Sequence, residues 1–137
     1  MKYKFLPHTG DIKFRAFGST LREVFENSVL ATVEVLSKKE KIKTVKVKKS
    51  KIDGKDNESL LYNLLEEVIY LLDAENFIVS KAKIKLNETS KHADVEFYGD
   101  DSKKYKDLDS IKAVTYNEMF VKSLGKNKLV AQVVLDV

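Results

Sequence analysis

Apolar residues recur along this chain with two different periods, which predict strands and helices respectively. Near the beginning, Ile12, Phe14 and Ala16 alternate with Lys13 and Arg15, the period-two pattern of a strand with one buried face. In the last segment, apolar residues occupy both parities, so we expect the final strand to be central and buried on both faces. The segments with strand character cover residues 2–7, 11–17, 81–86, 92–98, 111–121 and 129–137.

Two segments have helical spacing instead. Thr20 and Glu23 are three residues apart, as in a capping box, and the apolar spacing that follows predicts a helix over about residues 20–37. Asn57-Glu58-Ser59 supplies capping groups for a second helix over about residues 58–73, with an apolar arc wide enough to lie on a sheet. The expected fold class is therefore α+β: a single-domain layered sandwich in which a mixed or antiparallel β-sheet packs against two α-helices.

A lysine-rich section, residues 38–58, combines a strand signal with a turn signal at Asp53-Gly54. We expect a strand or hairpin with one solvated face. Its basic stripe, Lys46–Lys51, could bind a phosphate backbone, but no aromatic residues for base stacking are interleaved with it. Because lysines also protect exposed strands from edge pairing, a solvated face is the favoured interpretation and RNA binding is the alternative.

The composition narrows the class of protein. A chain of 137 residues, 43% hydrophobic and 34% charged, without repeats or linkers, is expected to form one domain over residues 1–137. There are no cysteines, which excludes disulfides, thiolate metal sites and a Cys nucleophile. No apolar run approaches the ~20 residues that span a bilayer, and the first residues lack the apolar core of a signal peptide. We therefore expect a cytoplasmic protein without a membrane partner.

The charge balance argues against a specific nucleic-acid reader. The net charge is +4, from 25 Lys and Arg against 21 Asp and Glu, and only Arg15 and Arg22 are arginines. Arginine is the usual residue for bidentate recognition of phosphates and bases. A basic set that is nearly all lysine indicates a solvated surface, and we expect no DNA partner.

Enzyme motifs are scarce. The chain has no G-x-x-x-x-G-K loop, no G-x-G-x-x-G and no G-x-S-x-G. His92 and Asp94 lie two residues apart on one predicted strand, so they share its outward face and are interpreted as structural. A metal-dependent hydrolase would need a general base and a substrate pocket that the sequence does not indicate.

One candidate site remains, formed by the two ends of the chain. The loop His8-Thr9-Gly10-Asp11 offers an imidazole and a carboxylate, while Asp136 and Val137 offer two carboxylates at the end of a buried strand. If the fold joins these ends, three oxygen donors meet, a set that suits Ca²⁺, Mg²⁺ or Mn²⁺. His8 could add a nitrogen ligand or a hydrogen bond, and Lys112 is either a functional cation beside the carboxylates or a solvated side chain. The alternative for the carboxylates is plain solvation.

Four motifs, in order, resemble those of the archease family. His8-Thr9-Gly10-Asp11-Ile12 is similar to the family's H-T-A-D followed by Ile or Val, and residues 59–65 with 70–73 are similar to its second helix. Ile111-Lys112-Ala113-Val114-Thr115-Tyr116 is similar to its K-A-x-T-Y motif after Ile or Val. Val134-Leu135-Asp136-Val137 is similar to its C-terminal strand. Their order, spacing and the total length agree with the family over essentially the whole chain.

Two positions depart from the family pattern. Gly10 stands where the family usually has Ala, and Asn117 stands where it commonly has His. The second change puts any role for that imidazole in doubt. The residues on which the family depends, Asp11, Lys112 and Asp136, are all present.

The resemblance implies a function that composition and periodicity do not show. Archeases are small α+β sandwiches and non-enzymatic protein cofactors of the RtcB-type RNA ligase in tRNA splicing and RNA repair. They promote ligase guanylylation and multiple turnover, so that tRNA is reached indirectly through the ligase. By motif match, Asp11, Asp136 and Val137 would bind a divalent metal, Ca²⁺ in the family. Asp11, Lys112 and Asp136 would face the ligase, with His8 and Tyr116 in supporting roles.

Overall fold

The computed structural model describes residues 1–137 and contains seven β-strands and two α-helices. In chain order they are β1 (Tyr3–Leu6), β2 (Ile12–Gly18), α1 (Leu21–Ser37), β3 (Lys46–Asp53), α2 (Asn57–Glu75), β4 (Phe77–Asn87), β5 (His92–Asp101), β6 (Ala113–Gly125) and β7 (Lys128–Asp136). A short 3-10 turn follows β5 at Ser102–Lys104. Neither helix is both long enough and apolar enough to cross a membrane.

The strands form two antiparallel sheets, one with the order β1-β2-β7-β6 and one with the order β3-β5-β4. α1 packs on β2 and β4, and α2 packs on β6, β3 and β4, so each helix contacts both sheets. The helices therefore lie between the sheets and bury the apolar face of each. This arrangement confirms the predicted α+β class and the two helices, and it resolves the expected sheet into two.

Local capping explains where the helices begin and end. The Thr20 hydroxyl accepts a hydrogen bond from the Glu23 amide, as the T-x-x-E spacing predicted. At α2 the cap is Asp56, one residue before the predicted group, and its carboxylate and the Ser59 hydroxyl exchange hydrogen bonds with each other's amides. Lys38 and Asn76 end α1 and α2 in left-handed conformations, with φ of 52° in both cases.

β7 is the central element of the larger sheet. It pairs with β2 on one side and with β6 on the other. Every residue from Val130 to Leu135 is buried. The expectation of a final strand covered on both faces is confirmed, and it follows from the apolar residues at both parities.

Carboxylates from the helices bond to strand amides that no neighbouring strand can reach. β6 and β4 are edge strands, whose outer N–H groups would otherwise need water or a partner. A glutamate from α1 or α2 accepts a hydrogen bond from each of three such amides. The bonds run from the Val114 amide to Glu66, from the Val121 amide to Glu58 and from the Ile84 amide to Glu26, at 3.0, 3.3 and 2.9 Å.

Two predicted strands differ from the observed ones. The lysine-rich section forms only β3, and the apolar residue Ile42 packs into the core from the loop before it. The predicted strand at 111–121 is β6, which begins at Ala113 and is interrupted by a bulge between Thr115 and Phe120. A bulge inserts unpaired residues, and the β-branched and aromatic content of this segment gave no sign of it.

Candidate functional site

Strand pairing brings the two ends of the chain to one rim of the larger sheet. Ile12 of β2 is paired with Leu135 of β7, and Ala113 of β6 is paired with Asp136. Asp11 immediately precedes the first of these pairs, and Asp136 immediately follows Leu135. The register therefore brings Asp11 and Asp136 to neighbouring positions at the same end of adjacent strands.

Lys112 is attached to this rim through its main chain. Its amide donates a hydrogen bond to the Asp136 carbonyl at 2.8 Å, and the preceding Ile111 is buried in the core. The side chain is exposed and forms none of the eight ion pairs of the structure. The main chain of Lys112 is therefore held in place, whereas its ammonium group has no ion-pair partner.

The Asp11 and Asp136 carboxylates of the rim have few positively charged partners within the protein. The Asp11 side chain is 33% exposed, and its one ion-pair contact is with the His8 ring, whose Nδ1 lies 3.8 Å from Oδ2. Asp136 forms no ion pair and no side-chain hydrogen bond. No Lys or Arg side chain pairs with either carboxylate within the fold. Both are therefore available to a cation or to a basic group of a partner.

The donor chemistry suits a hard divalent ion but needs a main-chain ligand. No group of three or more His, Asp and Glu side chains is arranged to hold a metal. Asp11 and Asp136 supply two side-chain carboxylates, so a third oxygen has to come from the main chain, where Val137 is the adjacent residue. All-oxygen sets of this kind fit Ca²⁺, Mg²⁺ or Mn²⁺.

His8 does not stand alone in its loop. Its Nε2 is 3.0 Å from the Glu118 carboxylate, and Lys13 Nζ is 3.2 Å from the other oxygen of the same group. These hydrogen bonds, first from His8 and then from Lys13, lower the pKa of Glu118 below its ordinary value. Glu118 was not among the sequence candidates. The only hint is the polar pair Asn117-Glu118, which interrupts the apolar alternation of β6.

Gly10 gives the loop its turn. It has a φ of +77°, in the left-handed region that glycine adopts without the strain of other residues. The departure from the family's Ala therefore falls at a position where glycine suits the backbone.

Tyr116 stacks on a tyrosine of α2. The partner is Tyr62, with ring centroids 4.3 Å apart and planes 5° from parallel. Partial burial raises the pKa of Tyr116, and Tyr62 and Asp56 raise it further. The structure thus places Tyr116 at the contact between α2 and β6, with no hydrogen bond or ion pair to Asp11 or Asp136.

The basic stripe is divided between two faces of β3. Lys48 turns inward, pairs with Glu75 and lies over the Phe77 ring at 5.6 Å. Lys49 and Lys51 are exposed on the other parity. There the three strands align charges in two rows, Lys49–Glu96–Lys83 and Lys51–Asp94–Lys85. Opposite charges across neighbouring strands are an ordinary way to stabilise a solvated sheet face.

The fold and the rim together define a class: a small α+β protein whose candidate functional groups are exposed at one end of a sheet. The family model of the Archease protein family (MTH1598/TM1083) matches residues 3–137. The chain belongs to the archease family.

Individual relatives match along their whole length. Protein archease of Pyrococcus abyssi is 31% identical over 140 residues, covering 99% of both chains. Protein archease of Sulfurisphaera tokodaii is 33% identical over 138 residues, with the same coverage. The solution structure of Methanobacterium thermoautotrophicum protein 1598 superposes with a TM-score of 0.83 at 31% identity, covering 99% of both chains.

Proposed function

We propose that this chain is a non-enzymatic protein cofactor that activates an RtcB-type RNA ligase in tRNA splicing and RNA repair, in the cytoplasm. It would promote guanylylation of the ligase and its multiple turnover, and it would meet tRNA only through the ligase. Membership of the archease family supports the proposal. The observation that carries it is the meeting of Asp11, Lys112 and Asp136 at one rim, where Lys112 and Asp136 have no ion-pair partner within the fold.

The rim would bind a divalent metal through Asp11, Asp136 and Val137. Ca²⁺ is the first candidate, and Mg²⁺ and Mn²⁺ are the alternatives, because all three prefer oxygen ligands. When bound, the ion would supply positive charge beside the two carboxylates. Calorimetric titration with Ca²⁺ tests this step, and loss of the binding heat in Asp136→Asn is the expected result.

The geometry suits action on a partner. The carboxylates would reach towards the metal- and nucleotide-binding site of the ligase, while Lys112 would contact a phosphate or an acidic residue there. β-pairing and the bond from the Lys112 amide to the Asp136 carbonyl hold these groups together through the main chain. Their side chains are therefore free to act on a partner without being needed for the fold.

A ligation assay with limiting ligase tests the proposal. The RtcB-type ligase of the same organism is mixed with excess RNA ends, with and without this protein. We expect joined product to exceed the molar amount of ligase only when the protein is present. Equal product in both reactions would contradict the proposal.

A second candidate function is an RNA-binding module or chaperone that delivers tRNA to a processing enzyme through the lysine-rich face. The observation in its favour is that Lys49, Lys51, Lys83 and Lys85 are exposed on one sheet face and form no ion pair. It predicts RNA binding by the isolated protein that weakens steeply with salt. Replacing the four lysines with Gln should then reduce the salt slope, whereas ligase activation alone predicts no such binding.

A further inference from the structure

The bulge in β6 lies beside the rim and exposes one carboxylate. Between the pairs Thr115–Val134 and Phe120–Gln132, β6 contains four residues where β7 contains one. Within this segment Glu118 adopts a φ of 55°, a left-handed conformation that is uncommon for residues other than Gly, Asn and Asp. Bulges next to functional sites often serve to redirect a side chain.

The redirected side chain is that of Glu118, and it reaches across the central strand. β6 and β2 flank β7, so they are about 9–10 Å apart at a strand spacing of about 4.8 Å. The carboxylate nevertheless contacts His8 in the loop before β2 at 3.0 Å and Lys13 on β2 at 3.2 Å. The bulge is itself anchored, because Gln132 donates a hydrogen bond to the Glu118 carbonyl at 2.8 Å.

The contact with Glu118 determines which nitrogen of the His8 ring carries the proton. An ionised carboxylate can only accept hydrogen bonds, so His8 Nε2 carries the proton in that contact. Nδ1 is then the unprotonated nitrogen of the ring, and it is buried without a hydrogen-bond partner. It lies 3.8 Å from Asp11 Oδ2, which is too long for a direct hydrogen bond. That separation is compatible with two ligands of one ion, each about 2.0–2.4 Å from it.

We propose that Glu118 is a positioning residue that holds His8 so that Nδ1 faces the cation bound by Asp11. The inference rests on the proposed function for the presence of that cation. A carboxylate that accepts a hydrogen bond from one ring nitrogen, while the other nitrogen faces a metal, is a recurrent arrangement around protein-bound ions. It adds a nitrogen donor to an oxygen site, and nitrogen donors favour transition ions over Ca²⁺.

The first test uses the metal-free protein and needs no ligase. Long-range ¹H–¹⁵N NMR spectra at about pH 8, above the ordinary histidine pKa of about 6.5, report which nitrogen of each ring carries the proton. We expect His8 to show the Nε2–H tautomer in the wild type and a mixture of tautomers in Glu118→Ala. Glu88→Ala is the matched control, because Glu88 is exposed on a turn. His92 serves as the internal reference. An unchanged His8 tautomer in Glu118→Ala would overturn the inference.

The second test measures metal affinity by calorimetry with Mn²⁺ and Ca²⁺. Loss of a carboxylate that orients a ligand lowers metal affinity about 10–100-fold. We therefore expect Glu118→Ala and His8→Ala to weaken Mn²⁺ binding at least about tenfold and Ca²⁺ binding less. Equal Mn²⁺ affinity in wild type and both variants would overturn the inference.

The two tests separate this inference from the proposed function. If the wild type fails to stimulate the ligase but Glu118→Ala changes both the tautomer and the Mn²⁺ affinity, the proposed function fails and the role of Glu118 stands. If the wild type stimulates the ligase and Glu118→Ala changes neither quantity, the role of Glu118 fails and the proposed function stands. The Glu118 side chain is 45% exposed, so its removal should leave the fold intact, and a thermal melt verifies this.

Discussion

At the scale of single residues, the clearest electrostatic feature outside the rim is His92 on the outer face of β5. Its Nδ1 is 2.7 Å from Asp53, and its Nε2 is 3.1 Å from Asp94. The hydrogen bond with Asp53, and then that with Asp94, raise the pKa of His92 above its ordinary value. The pair His92 and Asp94 was interpreted from the sequence as the polar side of an amphipathic strand, and the contact with Asp53 adds a third member.

This arrangement makes stability depend on pH in a definite direction. Because the folded-state pKa of His92 is raised, its contribution is fully present below the unfolded value of about 6.5 and is lost as the pH rises through the folded pKa. Replacing His92 with Gln should remove that loss. Thermal unfolding from pH 5 to pH 9 should show the advantage of the wild type over His92→Gln shrinking above about pH 6.5. Parallel curves for the two proteins would contradict this role.

Residue-level features differ in how far the sequence could reveal them. The sequence indicates that Asp11 and Asp136 lie at strand ends, but it leaves their pairing conditional, and the expectation that they form one site comes from the resemblance to the family. Glu118 was not predictable, because its contact with His8 joins positions 110 residues apart. The contact depends on a bulge, and no periodic pattern encodes the reach of a side chain across a neighbouring strand.

At the scale of elements, the docking of α2 on β6 combines apolar burial with two hydrogen bonds from strand amides to helix carboxylates. Glu66 accepts a hydrogen bond from the Val114 amide at 3.0 Å, and Val114 is buried. An amide left without a partner in such a place costs about 1–3 kcal/mol. The contact therefore helps to fix how α2 sits against β6, the strand that directly follows Lys112.

Glu66→Ala should lower the free energy of unfolding by about 1–3 kcal/mol, whereas Glu66→Gln, which keeps an acceptor oxygen, should cost less. Asp73→Ala is the control on the same helix, because Asp73 is exposed and forms no ion pair. Urea unfolding of the three variants measures the differences. A loss for Asp73→Ala as large as that for Glu66→Ala would show that the amide contact has no special role.

The elements themselves were largely predictable. α1 and α2 follow from the helical period of 3.6 and β2 from the strand period of two, whereas β7 follows from apolar residues at both parities. The division into two sheets did not follow, because strand partners are chosen by contacts between distant segments. β3 lies against β5, for example, although α2 and β4 separate the two along the chain.

At the scale of the whole molecule, the two sheets enclose the helices and leave the rim of the larger sheet exposed. The antiparallel pairing of β2, β7 and β6 brings Asp11, Asp136 and Lys112 to that rim from three separate parts of the chain. The packed core holds the strands that form the rim, and the side chains of Asp11, Lys112 and Asp136 at the rim are not part of that core. This organisation supports the proposed action on a partner.

The proposed activation of an RtcB-type RNA ligase by the rim is tested most directly by the rate of ligase guanylylation with wild-type protein, Asp11→Asn and Asp136→Asn. Asp107→Asn is the control, because Asp107 is exposed and forms no ion pair. We expect wild type and control to stimulate guanylylation equally, and both rim variants to fold normally while stimulation falls at least about tenfold, as for lost metal ligation. Full stimulation by both rim variants would contradict the account.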